Sequence, residues 1–421
     1  MFQVLKNAWK VAEIRRKLLY TMLLLFVFRL GSYIPVPFLS SGAMQAFLNV
    51  GSGNQLVGFL NMFSGGAFAK ATIFAMGISP YITSSIIVQL LTVAIPALER
   101  LQKESGEEGR EKINQSIRYC SIFVAFIQGA GLYWNLRFFL VQSGWLEFFV
   151  INLSLTAGTA FLVWLSDKIN EKGVGNGISM IIFAGIVSSL PSTVSTLISY
   201  VINGSLKLWL SIVIVIFSLI IFYFVVFMND SERRIPVQYA KRVVGRKMYG
   251  GQSTHIPIKL LAAGVMPIIF SMSFLSFPSI VAGFFGVTAE NNWFIKLITP
   301  GTWFYGIFYF ILIIFFTYFY VAIQYNPIEM ANNMKKTGAF IPGLRPGRPT
   351  SDYISKVITK VTLAGAVFLA FMAVIPMFID YGVKLNIGIG GTSLLILVGV
   401  ALETTKQLES NMLMRHYKGF L

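Results

Sequence analysis

The sequence predicts an all-α polytopic membrane protein that crosses the bilayer ten times. Its 421 residues are 55% hydrophobic and only 12% charged, and their mean hydropathy is +0.70, a combination foreign to soluble domains. About 20 apolar residues cross roughly 30 Å of hydrocarbon, so each long apolar run is a candidate span. The runs cover residues 18–39, 71–97, 119–134, 148–165, 177–202, 208–228, 260–285, 302–323, 361–379 and 387–402.

Charge is almost absent from these runs. They contain no Asp, Glu, Lys or His, and Arg29 is their one charged residue. Pumps and ion-coupled carriers need titratable groups at membrane depth, so the pattern argues against both classes. Arg29 falls toward the outer end of the first run, from where a long side chain can reach the headgroups. The sequence therefore favours an ordinary snorkelling arginine over a functional site at this position.

Basic residues set the orientation, because Lys and Arg resist translocation. Of the 34 Lys and Arg, 28 lie before the first span, after the last span or in alternate loops, whereas the opposite loops hold five. Both termini are therefore expected in the cytosol. The first run follows basic residues as a signal sequence does, but its length predicts a retained span.

The sequence offers no constellation for catalysis. Cys120 is the single cysteine, which excludes an internal disulfide and a thiolate metal cluster. His255 and His416 fall in separate predicted cytosolic segments. Because the chain also lacks a phosphate-binding loop and a grouped set of His, Cys and carboxylates, we expect no enzyme, no cofactor and no metal.

Residues 51–69, between the first and second spans, are apolar but too short and too rich in glycine to span. Irregular backbone at membrane depth is tolerated only where protein or a water-filled cavity surrounds it. A re-entrant segment is the favoured interpretation. The alternative is an amphipathic helix lying on the outer surface.

Two predicted cytosolic loops are unusually basic. Residues 229–259 hold seven Lys or Arg and residues 326–360 hold six, and alternating stretches around Gly245 predict a short two-stranded finger. Such loops are typical of positive-inside topology and of attraction to anionic lipid. Their length exceeds what a connection needs, which favours docking of a cytosolic partner, either an acidic protein or ribosomal RNA.

Several local motifs occur in order along the whole chain. They are NMFSGG (61–66), GISPYI (77–82), GVGNGIS (173–179) with IFAG (182–185), AKR (240–242), QSTH (252–255), GAFIPGLRPG (338–347) and GGTSLL (390–395). Together they closely resemble the bacterial SecY family. Residues 409–421 also resemble the family's C-terminal tail, so we expect an essentially complete chain.

The resemblance implies the central subunit of a protein-conducting channel in the bacterial cytoplasmic membrane. Two pseudo-symmetric five-helix halves are expected, an N-terminal half at 1–202 with a re-entrant plug at 54–70, and a C-terminal half at 203–421. The loops 229–259 and 326–360 belong to the second half. The sequence itself does not reveal this internal symmetry.

The resemblance also implies roles for side chains, carried over motif by motif. The implied pore ring consists of Ile78, Ile82, Ile178, Ile182, Ile269 and Ile396. The implied plug consists of Asn61, Met62, Phe63, Ser64, Gly65 and Gly66, and the lateral gate of Thr83, Ser179, Ser273 and Phe277. Leading contacts for cytosolic partners are Arg242, Arg246, Lys247 and Arg345. Spacing alone predicts only that each i, i+4 isoleucine pair shares a helix face, as in ordinary helix packing.

Implied partners are the small membrane subunits SecE and SecG, the SecA ATPase, a translating ribosome, secretory preproteins with their signal sequences, and anionic lipids. Two other function classes fit parts of the sequence. A secondary transporter would share the span count and the glycine-broken segments, but it should carry a buried carboxylate or His. A lipid-handling scaffold fits the charge-free interior but leaves the re-entrant segment and the basic loops unexplained.

Overall fold

The computed structural model describes residues 6, 8–40, 42, 44, 61, 64–104, 106–137, 140, 144–204, 207–239, 242–244, 247–249, 253–284, 293, 297, 302–383 and 391–416. Each of the predicted spans overlaps at least one α-helix, and the helical polytopic class is confirmed. The helices are α1 (Ala12–Gly31), α2 (Ser79–Ala94), α3 (Pro96–Glu104), α4 (Gly106–Leu136), α5 (Trp145–Lys172), α6 (Gly177–Ile202), α7 (Leu208–Asp230), α8 (Met266–Phe284), α9 (Trp303–Gln324), α10 (Pro327–Thr337), α11 (Arg348–Val383) and α12 (Gly391–His416). Helices α3 and α10 are polar and lie between predicted spans.

Five helical stretches of the described chain are long and apolar enough to cross a membrane by themselves. They are Trp145–Lys172, Gly177–Ile202, Leu208–Asp230, Trp303–Thr337 and Arg348–Ile379. Helices α4, α11 and α12 continue well beyond the apolar runs predicted for them, because charged residues that favour helix extend each one past its apolar part.

Two predicted span boundaries are wrong. The first span was expected to reach residue 39, but α1 ends at Gly31. The second was expected to begin at residue 71, but α2 begins at Ser79 and residues 64–77 form turns and an isolated bridge. Pro35 and Pro37 explain the first difference in part, because proline lacks the backbone N–H that a helix needs.

The two non-helical segments satisfy each other's backbone groups. Val36 N donates to Ala71 O at 2.9 Å, and Ile73 N donates to Ile34 O at 3.0 Å. These bonds form an antiparallel bridge centred on Pro35 and Thr72. Backbone groups of both non-helical segments therefore find partners inside the protein.

The first basic loop forms strands, and the predicted two-stranded finger is confirmed. Strands β2 (Arg242–Val244) and β3 (Lys247–Tyr249) pair antiparallel, with Val244 opposite Lys247. The strands that flank this finger in the sequence, β1 (Glu232–Tyr239) and β4 (Ser253–Lys259), also pair antiparallel. A strand from the second basic loop, β5 (Ala339–Phe340), adds to the free edge of β1 and joins the two loops in one sheet.

The helices pack around a central apolar cluster. Helix α8 packs against α2, α4 and α9, and helix α12 packs against α6, α7 and α11. Helix α5 packs against α1, α4 and α6. The central cluster takes buried side chains from α1, α2, α5, α6, α8, α9 and α12.

Gly158 of α5 permits a very close approach between α5 and the segment that precedes α2. A Cβ atom at this position would overlap the carbonyl oxygen of Ile73. Backbone cannot move aside as the end of a side chain can. The absence of a side chain on Gly158 therefore helps to hold residues 71–77 against α5.

We predict that Gly158→Ala destabilises the protein by about 1–3 kcal/mol, the usual effect of overpacking a close contact. Gly399→Ala is the matched control, because there the nearest atom to the added methyl group is Val265 Cγ1 at 2.7 Å, the end of a side chain. The measurement is the thermal unfolding midpoint of each purified variant in detergent. Equal midpoints for the two variants would contradict the proposed role of the Ile73 backbone.

Candidate functional site

The structure brings the six sequence-selected isoleucines into one cluster at the centre of the helix bundle. Five of them are buried, with at most 7% of each residue exposed, and Ile178 is partly buried against the same cluster. They come from four helices: Ile78 and Ile82 from α2, Ile178 and Ile182 from α6, Ile269 from α8, and Ile396 from α12. Residues more than 300 positions apart in the sequence therefore meet at one place.

Local sequence sets the start of both helices that carry isoleucine pairs. Asn176 caps α6, since its Oδ1 accepts hydrogen bonds from the backbone N–H of Ile178 at 3.1 Å and of Ser179 at 3.5 Å. Ile78 is itself the N-cap residue of α2, and Pro80 occupies the first turn, where a missing N–H is tolerated. Each pair is then spaced by one helical turn and shares one face.

The cluster is larger than the six isoleucines. It also contains Ile86, Ile181 and Ile186, which are buried to a similar extent. Burial alone therefore does not distinguish a lining residue from a packing residue. What the arrangement can do chemically is exclude water and ions, because branched aliphatic side chains supply neither hydrogen bonds nor charge.

A compact hydrogen-bonded turn lies in the segment that was expected to be re-entrant. Asn61 Oδ1 accepts from Ala69 N at 2.9 Å, and Asn61 O accepts from Gly66 N at 2.7 Å. Ser64 Oγ accepts from Phe68 N at 3.0 Å. Ser64 and Phe68 are 1% and 2% exposed, so this part of the segment is surrounded by protein, as a re-entrant segment must be. Met62 and Phe63, two of the expected plug residues, lie outside the described residues.

Gly65 is the point at which this turn contacts α6. Its φ of +64° is in the left-handed region, which favours glycine. A Cβ atom on Gly65 would lie 2.7 Å from Ser188 Oγ and 3.1 Å from Gly185 Cα. Glycine is therefore required here both by the backbone conformation and by the close contact with α6.

The expectation that Arg29 merely snorkels is wrong. Arg29 Nη1 donates to Gly65 O at 2.9 Å and to Ser188 Oγ at 3.2 Å, and Nη2 donates to Tyr33 OH at 3.2 Å. The one charged side chain of the predicted spans thus connects α1 with the buried turn and with α6. Its isolation in the sequence was a signal, but nothing local to the chain identified Gly65 or Ser188 as its partners.

The four expected gate residues lie on three helices, α2, α6 and α8. Thr83 of α2 and Ser273 of α8 are both buried, and α2 and α8 pack against each other. Thr83 Oγ1 donates to Ser79 O of its own helix at 3.1 Å, which satisfies the hydroxyl proton. Ser179 lies in the first turn of α6, a helix that packs on α12. Phe277 belongs to α8, and its side chain lies outside the described set.

The expected contacts for cytosolic partners lie on the two basic loops. Arg242 and Lys247 belong to β2 and β3, and Arg246 lies outside the described residues. Arg345 is exposed in the second loop, and its carbonyl oxygen accepts a hydrogen bond from Thr350 Oγ1 at 2.9 Å. The pairing of β1 with β5 connects these two loops, so their positive charges belong to one folded unit.

Metal binding finds no support in the part of the chain that the structure describes, where no group of three or more His, Cys, Asp or Glu could hold an ion.

Comparisons with known proteins agree with the motif resemblance. A family model described as SecY matches residues 72–405. Over 433 aligned residues the chain is 42% identical to the protein translocase subunit SecY of Aquifex aeolicus (strain VF5), with both chains covered over their whole length.

Solved structures share the fold. One concerns the plug domain of a SecY protein, which is described as stabilising the closed state of the translocation channel and maintaining a membrane seal. Its TM-score to this chain is 0.70 at 19% identity, covering 94% of this chain and 92% of that chain. Another is Sec61 in a canine ribosome–channel complex from the endoplasmic reticulum, with a TM-score of 0.64 at 17% identity and the same coverage.

Proposed function

This chain belongs to the SecY family, and we propose that it forms the protein-conducting channel through which unfolded secretory polypeptides cross the cytoplasmic membrane of a bacterium. Apolar segments of these polypeptides leave the channel sideways into lipid. The observation that carries the proposal is the convergence of six isoleucines from four helices into one apolar cluster next to a buried re-entrant turn. Membership of this family decides against the secondary transporter and the lipid-handling scaffold.

The isoleucines form the pore ring in this proposal. A ring without hydrogen-bonding groups has no preference for any particular side chain of a passing polypeptide, so chains of any sequence can slide through it. The same ring closes around the chain and hinders water and ions. An ion-selective filter would need the opposite, namely fixed polar ligands.

The plug is the turn that contains Asn61 and residues 64–66, together with Met62 and Phe63. Its burial and its contact with α6 at Gly65 support a role as a seal that is present at rest. The description of the structurally similar SecY plug as a part that maintains a membrane seal supports the same role here.

Lateral release takes place at the seam between α2 and α4 on one side and α8 and α9 on the other. The packing of α8 against α2 and α4 supports a seam that is closed at rest. Thr83, Ser179, Ser273 and Phe277 are the proposed gate residues. An apolar segment that passes through the opened seam gains roughly 25 cal/mol for each Å² of apolar surface removed from water.

Directional work comes from outside the chain. The sequence has no nucleotide-binding loop, so we assign the driving force to the SecA ATPase or to a translating ribosome docked on the two basic loops. Arg242, Arg246, Lys247 and Arg345 are the proposed leading contacts. The fold shared with a channel that is found in a ribosome complex supports this surface as a docking site.

The remaining assignments follow the charge distribution and the family. The chain is a multi-pass membrane protein, and we place both termini in the cytosol, with SecE and SecG as membrane partners and anionic lipids around the basic face. The two proposed halves are residues 1–202 and 203–421. The contacts of α8 with α2 and α4, and of α12 with α6, are then the interface between the halves.

We predict that single cysteines at the six ring positions, in a Cys120→Ser background, all crosslink to a polypeptide stalled in the channel. Two controls sharpen the test. Ile181→Cys lies in the same cluster one residue from Ile182 but about 100° around the helix, and Ile311→Cys lies on the exposed face of α9. Crosslinking at Ile181 as strong as at Ile182, or crosslinking at only one or two ring positions, would make the isoleucines packing residues.

Deletion of residues 61–67 should leave a channel that still exports preproteins but conducts ions at rest and accepts weak signal sequences. The deletion ends before the bridge between residues 34–36 and 71–73, so the start of α2 keeps its anchor. Resting conductance in planar bilayers and export of a reporter with a defective signal are the measurements. Unchanged values for both would remove this segment from the seal.

Arg345→Glu should weaken SecA docking by roughly tenfold, because a charge facing an acidic partner contributes to association. Stability should change by less than about 1 kcal/mol, since the side chain is exposed. Arg348→Glu is the matched control, with the same charge change at the exposed first residue of α11. SecA ATPase stimulation by the reconstituted channel is the readout. Equal losses in both variants would indicate a general electrostatic effect, and no loss in either would reduce Arg345 to a topology residue.

A further inference from the structure

We propose that Arg29 is a positioning residue that holds the plug in its closed position. This inference rests on the proposed role of residues 61–66 as the plug. The guanidinium group reaches two other elements from α1: the buried turn, through Gly65 O at 2.9 Å, and α6, through Ser188 Oγ at 3.2 Å. A single side chain therefore connects the plug to two of the helices that surround it.

The acceptors of Arg29 are held in place by their own contacts. Ser188 Oγ lies 2.8 Å from Gly185 O and 3.5 Å from Gly65 O, so the shorter contact with Gly185 takes the hydroxyl proton. The lone pairs of the hydroxyl are then available to Arg29. The left-handed conformation of Gly65 and its close contact with Gly185 fix the direction of the Gly65 carbonyl group.

Arg29 also contacts an aromatic side chain. Tyr33 accepts a hydrogen bond from Arg29 Nη2 at 3.2 Å, and the Arg29 guanidinium carbon lies 5.1 Å from the centroid of the Tyr33 ring. Lys70, which follows the buried turn, places its Nζ atom 4.0 Å from the same centroid. Two cationic side chains, one from α1 and one from the re-entrant segment, therefore contact the same ring, which holds these two elements together.

The partners of Arg29 allow its hydrogen bonds to break and form again. Within the described residues Arg29 forms no ion pair, and its acceptors are a carbonyl group and two hydroxyl groups. Water can replace each of these neutral acceptors when the plug moves away. A buried carboxylate partner would instead be left as an unpaired charge, which strongly resists separation. The geometry thus suits a plug that has to leave and return.

The fork of the arginine is essential to this arrangement. One terminal nitrogen reaches Gly65 and Ser188 while the other reaches Tyr33, whereas a lysine ammonium group is a single point charge. Arg29→Lys should therefore retain the charge at this depth but hold the plug less firmly. Arg29→Gln should lose both the charge and the fork.

The complete channel complex is reconstituted in planar bilayers. The test compares the fraction of time for which resting channels conduct ions. Arg29→Gln is expected to raise this fraction roughly tenfold, as loss of hydrogen bonds to a charged group predicts. Arg29→Lys and Ser188→Ala should each produce a smaller, severalfold rise. Arg137→Gln is the matched control, because Arg137 is also an arginine over an aromatic ring, Trp134 at 4.2 Å, and directly follows the end of α4.

The same substitutions in the channel that lacks residues 61–67 identify where Arg29 acts. If Arg29 acts through the plug, Arg29→Gln adds nothing to the leak of the deleted channel, because coupled residues are not additive. An equal rise in both backgrounds would overturn the proposal and assign Arg29 to the pore or to general stability. Should Arg29→Gln fail to assemble, wild-type behaviour of both Arg29→Lys and Ser188→Ala would overturn it as well.

Two outcomes separate this inference from the proposed function. If the channel that lacks residues 61–67 leaks and the Arg29→Gln channel conducts no more than the wild type, the role of Arg29 is overturned and the proposed plug stands. A deletion channel that does not leak would overturn the plug itself, and with it the role of Arg29.

Discussion

The short backbone bridge between residues 34–36 and 71–73 is the interaction on which the arrangement of the site depends. Backbone at membrane depth that is not helical must find partners inside the protein, because lipid offers none. Here the chain after α1 and the chain before α2 supply each other's partners, with N···O distances of 2.9 and 3.0 Å. This bridge anchors the chain ahead of α2, whose N-cap residue is Ile78.

In the proposed channel, the seal has two layers of different chemistry. The isoleucine cluster closes without hydrogen bonds, so it can part around a polypeptide without leaving unpaired polar groups behind. The tie at Arg29 is polar, and a hydrogen bond to a charged group contributes about 1.5–3 kcal/mol. A few such bonds hold a plug at rest, yet neutral acceptors allow water to replace them. Closure and reversibility are therefore compatible in one structure.

The two basic loops combine a local sequence pattern with a contact between distant segments. Local alternation in residues 229–259 predicts a two-stranded finger, and the structure has one. The addition of β5 to β1, which pairs Gln238 with Phe340, joins segments about a hundred residues apart. Two loops that looked independent in the sequence are thus joined through one sheet, and in the proposed channel a docked partner contacts both at once.

The sequence by itself determined the membrane class, the approximate position of each span, the irregularity of residues 51–69, the finger and the family, because hydropathy and short motifs are local signals. Only the tertiary structure decided that six isoleucines from four helices share one cluster and that Arg29 contacts Gly65 and Ser188. The physical reason is the same in each case. These features depend on partners 36 to more than 300 residues away, and contacts between distant segments leave no periodic trace in the chain.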